Sequence, residues 1–129
     1  MEFGAAIGTQ SNPVLITAGG VLGAKNDATA LAIKSIAVAD STSFLNVLAG
    51  YDIDVLPVNP NVQIGTVIVG TDPNSGNWTA TNIVAGAVSG DDGRFGTSDD
   101  GTISTSDATS LLSQIARVVI NGTITLPPS

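Results

Sequence analysis

The sequence predicts a mainly β fold, in which the chain coils into a short right-handed parallel β-helix-like solenoid with loop insertions. Three six-residue segments, 33–38, 64–69 and 115–120, align with one another. The first segment is followed by residues 43–50 and the second by residues 79–86. These two stretches also align, with an Asn, two aliphatic residues, an Ala and a Gly at matching positions. Internal repeats of this kind are typical of chains that lay similar strands over one another.

The composition favours the same fold class. The chain has 129 residues, which is the length of one domain. Hydrophobic residues make up 43%, mostly small and branched, whereas charged residues make up only 12%, about half the usual share. Such a core suits stacked strands better than a helical bundle. A β-sandwich with antiparallel strands and calcium at a loop end is the alternative fold, in which the repeats would be chance alternation.

The expected elements follow from aliphatic runs and their turn residues. Strands are predicted at 14–18, 33–38, 44–50, 64–69, 78–88, 115–120 and 122–126. A turn or single helical turn capped by Asp27 is predicted within 22–32, and a short helix capped by Asp107 at 107–114.

The domain boundaries are expected near the two ends of the chain. Residues 1–12 are rich in Gly, Ala and Ser and are predicted to be a tag or a frayed N-terminus. Residues 13–126 form the single β-rich domain, and residues 127–129 form a C-terminal tail.

The aligned strands predict which side chains share a face, because side chains alternate in direction along a strand. Two aliphatic columns are expected to face inward, namely Ile36/Val67/Val118 and Val38/Val69/Ile120. The polar column Ser35/Thr66/Arg117 is expected to face water. The column Ala37/Ile68/Val119 points outward although it is apolar, so we expect an insertion or another chain to cover it. Asn46 and Asn82 are expected to stack and to hydrogen-bond along the coil.

Charge and residue types exclude several functions. The net charge is −7 with only four basic residues, so nucleic acid and anionic membranes are poor partners. The chain has no Cys and no His, which removes thiol and imidazole catalysis and most zinc sites. No apolar run approaches the roughly 18 residues that span a bilayer, so membrane insertion is not expected. We therefore expect no enzyme.

One segment, 89–101, concentrates acidic side chains between glycines. Its four carboxylates, Asp91, Asp92, Asp99 and Asp100, are the predicted ligands of a structural Ca²⁺, because calcium prefers flexible cages of oxygens. Asp107 is a further candidate donor, and Phe95 is expected to anchor the loop on the core. The other interpretation is an ordinary solvated loop in which Asp residues make turns.

The aligned units of residues 31–125, and most distinctively Gly90 to Asp100, resemble repeat regions of large bacterial exported or surface proteins with parallel β-helix character. The resemblance implies a non-catalytic structural segment at the cell surface or outside the cell, with its export signal outside this fragment.

Two kinds of partner are expected. Open strand edges would pair with other copies or with neighbouring repeats. The alternative function is an adhesion module that binds a glycan or a peptide, either on the Ala37/Ile68/Val119 column or in a groove beside Trp78.

Overall fold

The computed structural model describes residues 1–22, 24–71, 76–95, 97–103 and 113–125. Within these residues the protein is mainly β and contains one four-residue helix. The elements in chain order are β1 (Glu2–Phe3), β2 (Val14–Ala18), α1 (Asp27–Ala30), β3 (Leu31–Val38), β4 (Thr42–Ser43), β5 (Leu45–Ala49), β6 (Gln63–Val69), β7 (Trp78–Thr79), β8 (Asn82–Ala85), β9 (Ala87–Val88), β10 (Gly101–Thr102), β11 (Gln114–Ile120) and β12 (Ile124–Thr125).

Three parallel sheets organise the chain. The first sheet has the order β1-β3-β6-β11, the second β4-β7-β12 and the third β2-β5-β8. The chain visits the first, second and third sheets in that order through β3-β4-β5 and again through β6-β7-β8. It then returns to the first and second sheets through β11 and β12. The parallel pairing disagrees with the β-sandwich alternative, which requires antiparallel strands.

The predicted register of the first sheet is confirmed. Ile64 lies between Ile33 and Ile115, and Thr66 lies between Ser35 and Arg117. The next three positions continue this order without a shift, pairing Ile36/Val67/Val118, Ala37/Ile68/Val119 and Val38/Val69/Ile120. The three aliphatic segments therefore run side by side in the same direction.

The core lies where the first and third sheets face each other. Its fully buried side chains come mainly from β3, β5 and β6, and they include Ile36, Val38, Val67 and Val69 as predicted. The prediction is wrong for Val118, which is 44% exposed. Because β8 is the last described strand of the third sheet, no described strand of that sheet lies opposite β11 in the last coil.

Sharp corners with positive φ separate successive strands. Phe44 (φ 50°) separates β4 from β5, and Ala80 (φ 45°) lies at the matching place between β7 and β8. Gly86 (φ 68°) then ends β8 before β9. The predicted strand 44–50 is confirmed as β5 to within one residue at each end, whereas the predicted strand 78–88 is divided at Ala80 and Gly86 into β7, β8 and β9.

Two local predictions are corrected at the N-terminal side. Residues 1–12 do not fray throughout, since Glu2 and Phe3 pair with Ala37 and Val38. The helix α1 is capped by Asn26 rather than Asp27, because the Asn26 Oδ1 accepts the Thr29 N–H at 3.0 Å. The helix predicted at 107–114 lies mostly outside the described residues, and Gln114 already belongs to β11.

The stacked Asn pair is confirmed. Asn46 and Asn82 are partners in the third sheet, and the Asn82 Nδ2 donates to the Asn46 Oδ1 at 2.8 Å. A similar contact joins Thr81 and Thr42, whose hydroxyl oxygens lie 3.1 Å apart. In the described residues every buried side-chain nitrogen and oxygen has a hydrogen-bond partner. Polar side chains inside the stack thus bond along it rather than interrupt it.

Candidate metal-binding loop

The Asp-rich segment is the loop of an antiparallel hairpin beside the parallel sheets. β9 and β10 pair through Val88↔Gly101 and Ala87↔Thr102, so residues 89–100 form the connection. The expected anchoring by Phe95 is confirmed, because its ring is partly buried against a small core cluster of Leu48, Tyr51, Val84 and Ile103. The Tyr51 hydroxyl donates to the Ala87 carbonyl oxygen at 2.8 Å, which ties the base of the hairpin to β5's end. Burial raises the pKa of Tyr51.

Three of the four predicted ligands converge. Asp92, Asp99 and Asp100 each place one carboxylate oxygen within 4.8 Å of the others. Asp91 does not belong to this group, and Asp107 lies outside the described residues. Sequence reasoning therefore found the loop and the three carboxylates, although it did not distinguish them from their neighbour Asp91.

Thr97 forms hydrogen bonds with two of the three converging acids, Asp99 and Asp100. Its hydroxyl oxygen lies 2.7 Å from the Asp99 Oδ1 and 3.2 Å from the Asp100 Oδ1, while its N–H donates to the Asp100 Oδ2 at 3.2 Å. The Asp92 N–H donates to the Asp99 Oδ2 at 3.1 Å. In turn the Arg94 N–H donates to the Asp92 Oδ1 at 2.8 Å. These bonds hold three like charges close together.

The hydrogen bonds also favour the charged form of the central acid. The Thr97 hydroxyl and the Asp92 N–H hold the pKa of Asp99 below its ordinary value. Asp99 is therefore an anion at neutral pH and offers a hard oxygen that suits Ca²⁺.

The donor set fits a weakly held calcium ion. Calcium takes six to eight oxygens, and this cluster supplies three carboxylates from flexible, Gly-rich backbone, so water would complete the shell. The same internal hydrogen bonds are those of a solvated loop built from Asx-type turns. The calcium assignment accordingly stays a prediction.

The residues expected to hold a glycan or peptide are used in packing. Trp78 is half-buried against the main core, and its indole N–H donates to the Thr81 carbonyl oxygen at 3.0 Å. The outward column Ala37/Ile68/Val119 is half-buried at all three levels. The adhesion function also stays a prediction.

A polar chain that sequence reasoning missed runs across three successive coils. The Gln63 Nε2 donates to the Asp27 Oδ1 at 2.8 Å, and the Gln114 Nε2 donates to the Gln63 Oε1 at 3.2 Å. A signal existed, because a Gln directly precedes the aligned Ile64 and Ile115.

Comparison of the chain with protein families, with curated proteins and with solved structures finds no match. The resemblance to bacterial surface repeats is therefore still a prediction. Across the described ranges, no helix has the length and apolar character that crossing a lipid bilayer requires.

Proposed function

We propose that this chain is a non-catalytic structural segment of a bacterial exported or cell-surface protein, built as a short right-handed parallel β-helix-like solenoid. The observation that carries the proposal is the register shared by β3, β6 and β11, in which five positions of β6 match the strands on both sides. A chain that returns to the same sheets in the same order extends along one axis, which suits a rod or spacer.

The side-chain contacts support a structural role. Asn46–Asn82 and Gln63–Gln114 each join equivalent positions of successive coils, and the Thr42–Thr81 contact also joins two coils. Hydrogen bonds between equivalent side chains penalise a slip of one coil past the next, because a shift would leave buried polar groups unpaired. Polar groups of the interior thus stabilise the register.

The open end of the stack supports self-association or contact with neighbouring repeats. Among the described strands, β11 pairs only with β6, and β8 pairs only with β5. Unpaired strand edges bind other strands through their free N–H and C=O groups. Exposed aliphatic side chains at this end, Val118 and Ile124, would be covered by the same contact.

A Lys placed at this edge is expected to reduce self-association. In Val118→Lys a charge would enter the contact, whereas Thr66→Lys adds the same charge to β6, whose two edges are already paired. Sedimentation velocity over a concentration series should show weaker association for Val118→Lys and little change for Thr66→Lys. A wild-type chain that stays monomeric at all concentrations, with folding checked by circular dichroism, would count against the structural proposal.

The proposed location has its own test. An antibody against the folded chain is expected to label intact cells of the bacterium that encodes it. Labelling that requires permeabilised cells would contradict a surface location.

We further propose that Ca²⁺ stabilises the hairpin loop through Asp92, Asp99 and Asp100, with Asp91 as the fourth acid of the loop. With three carboxylates the dissociation constant is expected to be about 10⁻⁴–10⁻³ M. Calcium at tenfold excess over that constant would then stabilise the fold by about 1.4 kcal/mol, which corresponds to a rise of a few degrees in melting temperature.

The calcium-dependent shift in melting temperature is the quantity to compare. Scanning calorimetry with calcium and with chelator should give a shift for the wild type and for Asp40→Asn, an exposed acid outside the hairpin loop. The shift should be absent in Asp99→Asn. An equal melting temperature with calcium and with chelator in the wild type would remove the ion from the proposal without affecting the stacked fold.

A further inference from the structure

A five-residue loop, 52–56, presents aliphatic side chains to solvent. We call it the aliphatic loop. Ile53 is 90% exposed, and Leu56 and Val55 are 55% and 40% exposed. Single exposed aliphatic residues are common on soluble proteins, but three within five residues form a projecting apolar surface.

The aliphatic loop is held in one shape. The Asp52 Oδ1 accepts the N–H groups of Asp54 and Leu56 at 3.0 Å each, and the Asp52 N–H donates to the Leu56 carbonyl oxygen at 3.0 Å. Val55 adopts φ 61°, a conformation that β-branched residues rarely take. An apolar loop that is already ordered loses little conformational entropy when it docks.

A groove of about 270 Å³ lies between β2 and β3. Its apolar wall includes Ile16, Ala18, Ala32 and Ile33, and Lys34 also lines it. Lys34 itself is exposed. Met1 lines the groove as well, and its N-terminal ammonium donates to the Ser35 carbonyl oxygen at 3.1 Å. The groove therefore combines a partly buried aliphatic wall with two positive charges.

We infer that the aliphatic loop of one copy docks in this groove of a second copy, with Ile53 on the aliphatic wall and Asp54 beside Lys34. Two copies with a net charge of −7 each repel over most of their surfaces, and only four basic side chains exist to oppose that repulsion. A contact that brings Asp54 to Lys34 is attractive where most other contacts are not. This lateral contact uses other residues than the strand edges and does not depend on them.

The contact is tested in the full chain by sedimentation velocity, which measures the dissociation constant of the dimer. One variant replaces an apolar side chain with an acidic one, and two others reverse a charge. Ile53→Asp is expected to raise the dissociation constant of the dimer at least about tenfold, because burial of an isoleucine side chain is lost. Leu22→Asp is the matched control, since Leu22 is 69% exposed and lies in neither surface. Lys34→Glu and Asp54→Lys should each weaken the dimer, and the double variant should restore association.

Three results would overturn the inference. They are equal effects of Ile53→Asp and Leu22→Asp, absence of rescue in the double charge reversal, and a chain that is monomeric throughout the concentration series. Association that resists Ile53→Asp but is lost in Val118→Lys would refute the lateral contact alone and would leave the strand-edge proposal intact. Circular dichroism identifies any variant that fails to fold. If Ile53→Asp fails to fold, Ile53→Ser takes its place in the comparison.

Discussion

Replacement of Ile64 by Ala is expected to lower the free energy of unfolding by about 2–5 kcal/mol. Ile64 is fully buried in the middle strand of the first sheet, between Ile33 and Ile115. Truncation would leave a cavity at a level where the surrounding strands are fixed by pairing on both sides, so the site would collapse poorly. Urea denaturation followed by circular dichroism measures the loss.

The control for this substitution is Ile68→Ala in the same strand. Ile68 belongs to the outward column between Ala37 and Val119 and is half-buried, so the expected loss is about 1 kcal/mol. The two variants remove the same atoms from the same strand and differ only in the face they occupy. Equal losses would contradict the assignment of inward and outward columns.

The register of the first sheet was predictable because the three segments align position by position, with an unbroken apolar run at 36–38, 67–69 and 118–120. The alternation of side chains along a strand fails nearer the start of the strands, where Ile33 and Ile64 are buried although their spacing from the buried Ile36 and Val67 is odd. The pairing passes from Ile33↔Ile64 to Ser35↔Thr66 across Lys34 and Gly65. A Cβ on Gly65 would overlap the Lys34 carbonyl oxygen, so the glycine permits this close approach.

The third sheet contains one more repeat than the sequence comparison recognised. β2 pairs with β5 so that Ala18, Ala49 and Ala85 lie in register, and each is followed by a glycine. The Ala-Gly pair was a usable signal in β2, but the Asn that marks the other two strands is replaced there by Leu15. The absence of that Asn concealed the match.

The corners between the second and third sheets could not be read from the sequence. Phe44 and Ala80 adopt positive φ at matching positions, yet neither is the Gly or Asn that normally indicates such a turn. Coil geometry, rather than local propensity, imposes this conformation. For the same reason the continuous strand predicted at 78–88 was too long, whereas the strand predicted at 44–50 matches β5 to within one residue at each end.

In the candidate metal site, the composition of the loop predicted the acids but not their directions. Thr97 and two backbone N–H groups orient Asp92, Asp99 and Asp100 toward one point. Nothing in the spacing of adjacent acids distinguishes Asp91 from Asp92. The selection depends on hydrogen bonds that form only after the hairpin closes.

Replacement of Gly50 by Ala is expected to cost about 3–5 kcal/mol, which combines backbone strain with steric overlap. Gly50 adopts φ 97°, and a Cβ there would lie 2.4 Å from the Asn59 carbonyl oxygen and 3.0 Å from the Ile103 Cδ1. The residue also donates to the Ala18 carbonyl oxygen at 2.7 Å and accepts the N–H groups of Val58 and Asn59. Movement to relieve the overlap would strain bonds that join two coils.

Gly93→Ala separates the two contributions. Gly93 has a similarly left-handed φ of 69°, but a Cβ there would have no atom of the described residues within 4 Å. The control therefore carries only the conformational penalty, about 1 kcal/mol after the lower entropy of the unfolded chain is included. Urea denaturation should show a loss for Gly50→Ala at least about 2 kcal/mol larger than for Gly93→Ala. Equal losses of stability in the two variants would contradict the prediction. They would show that the backbone at Gly50, after the end of β5, is not tightly packed against the neighbouring coil.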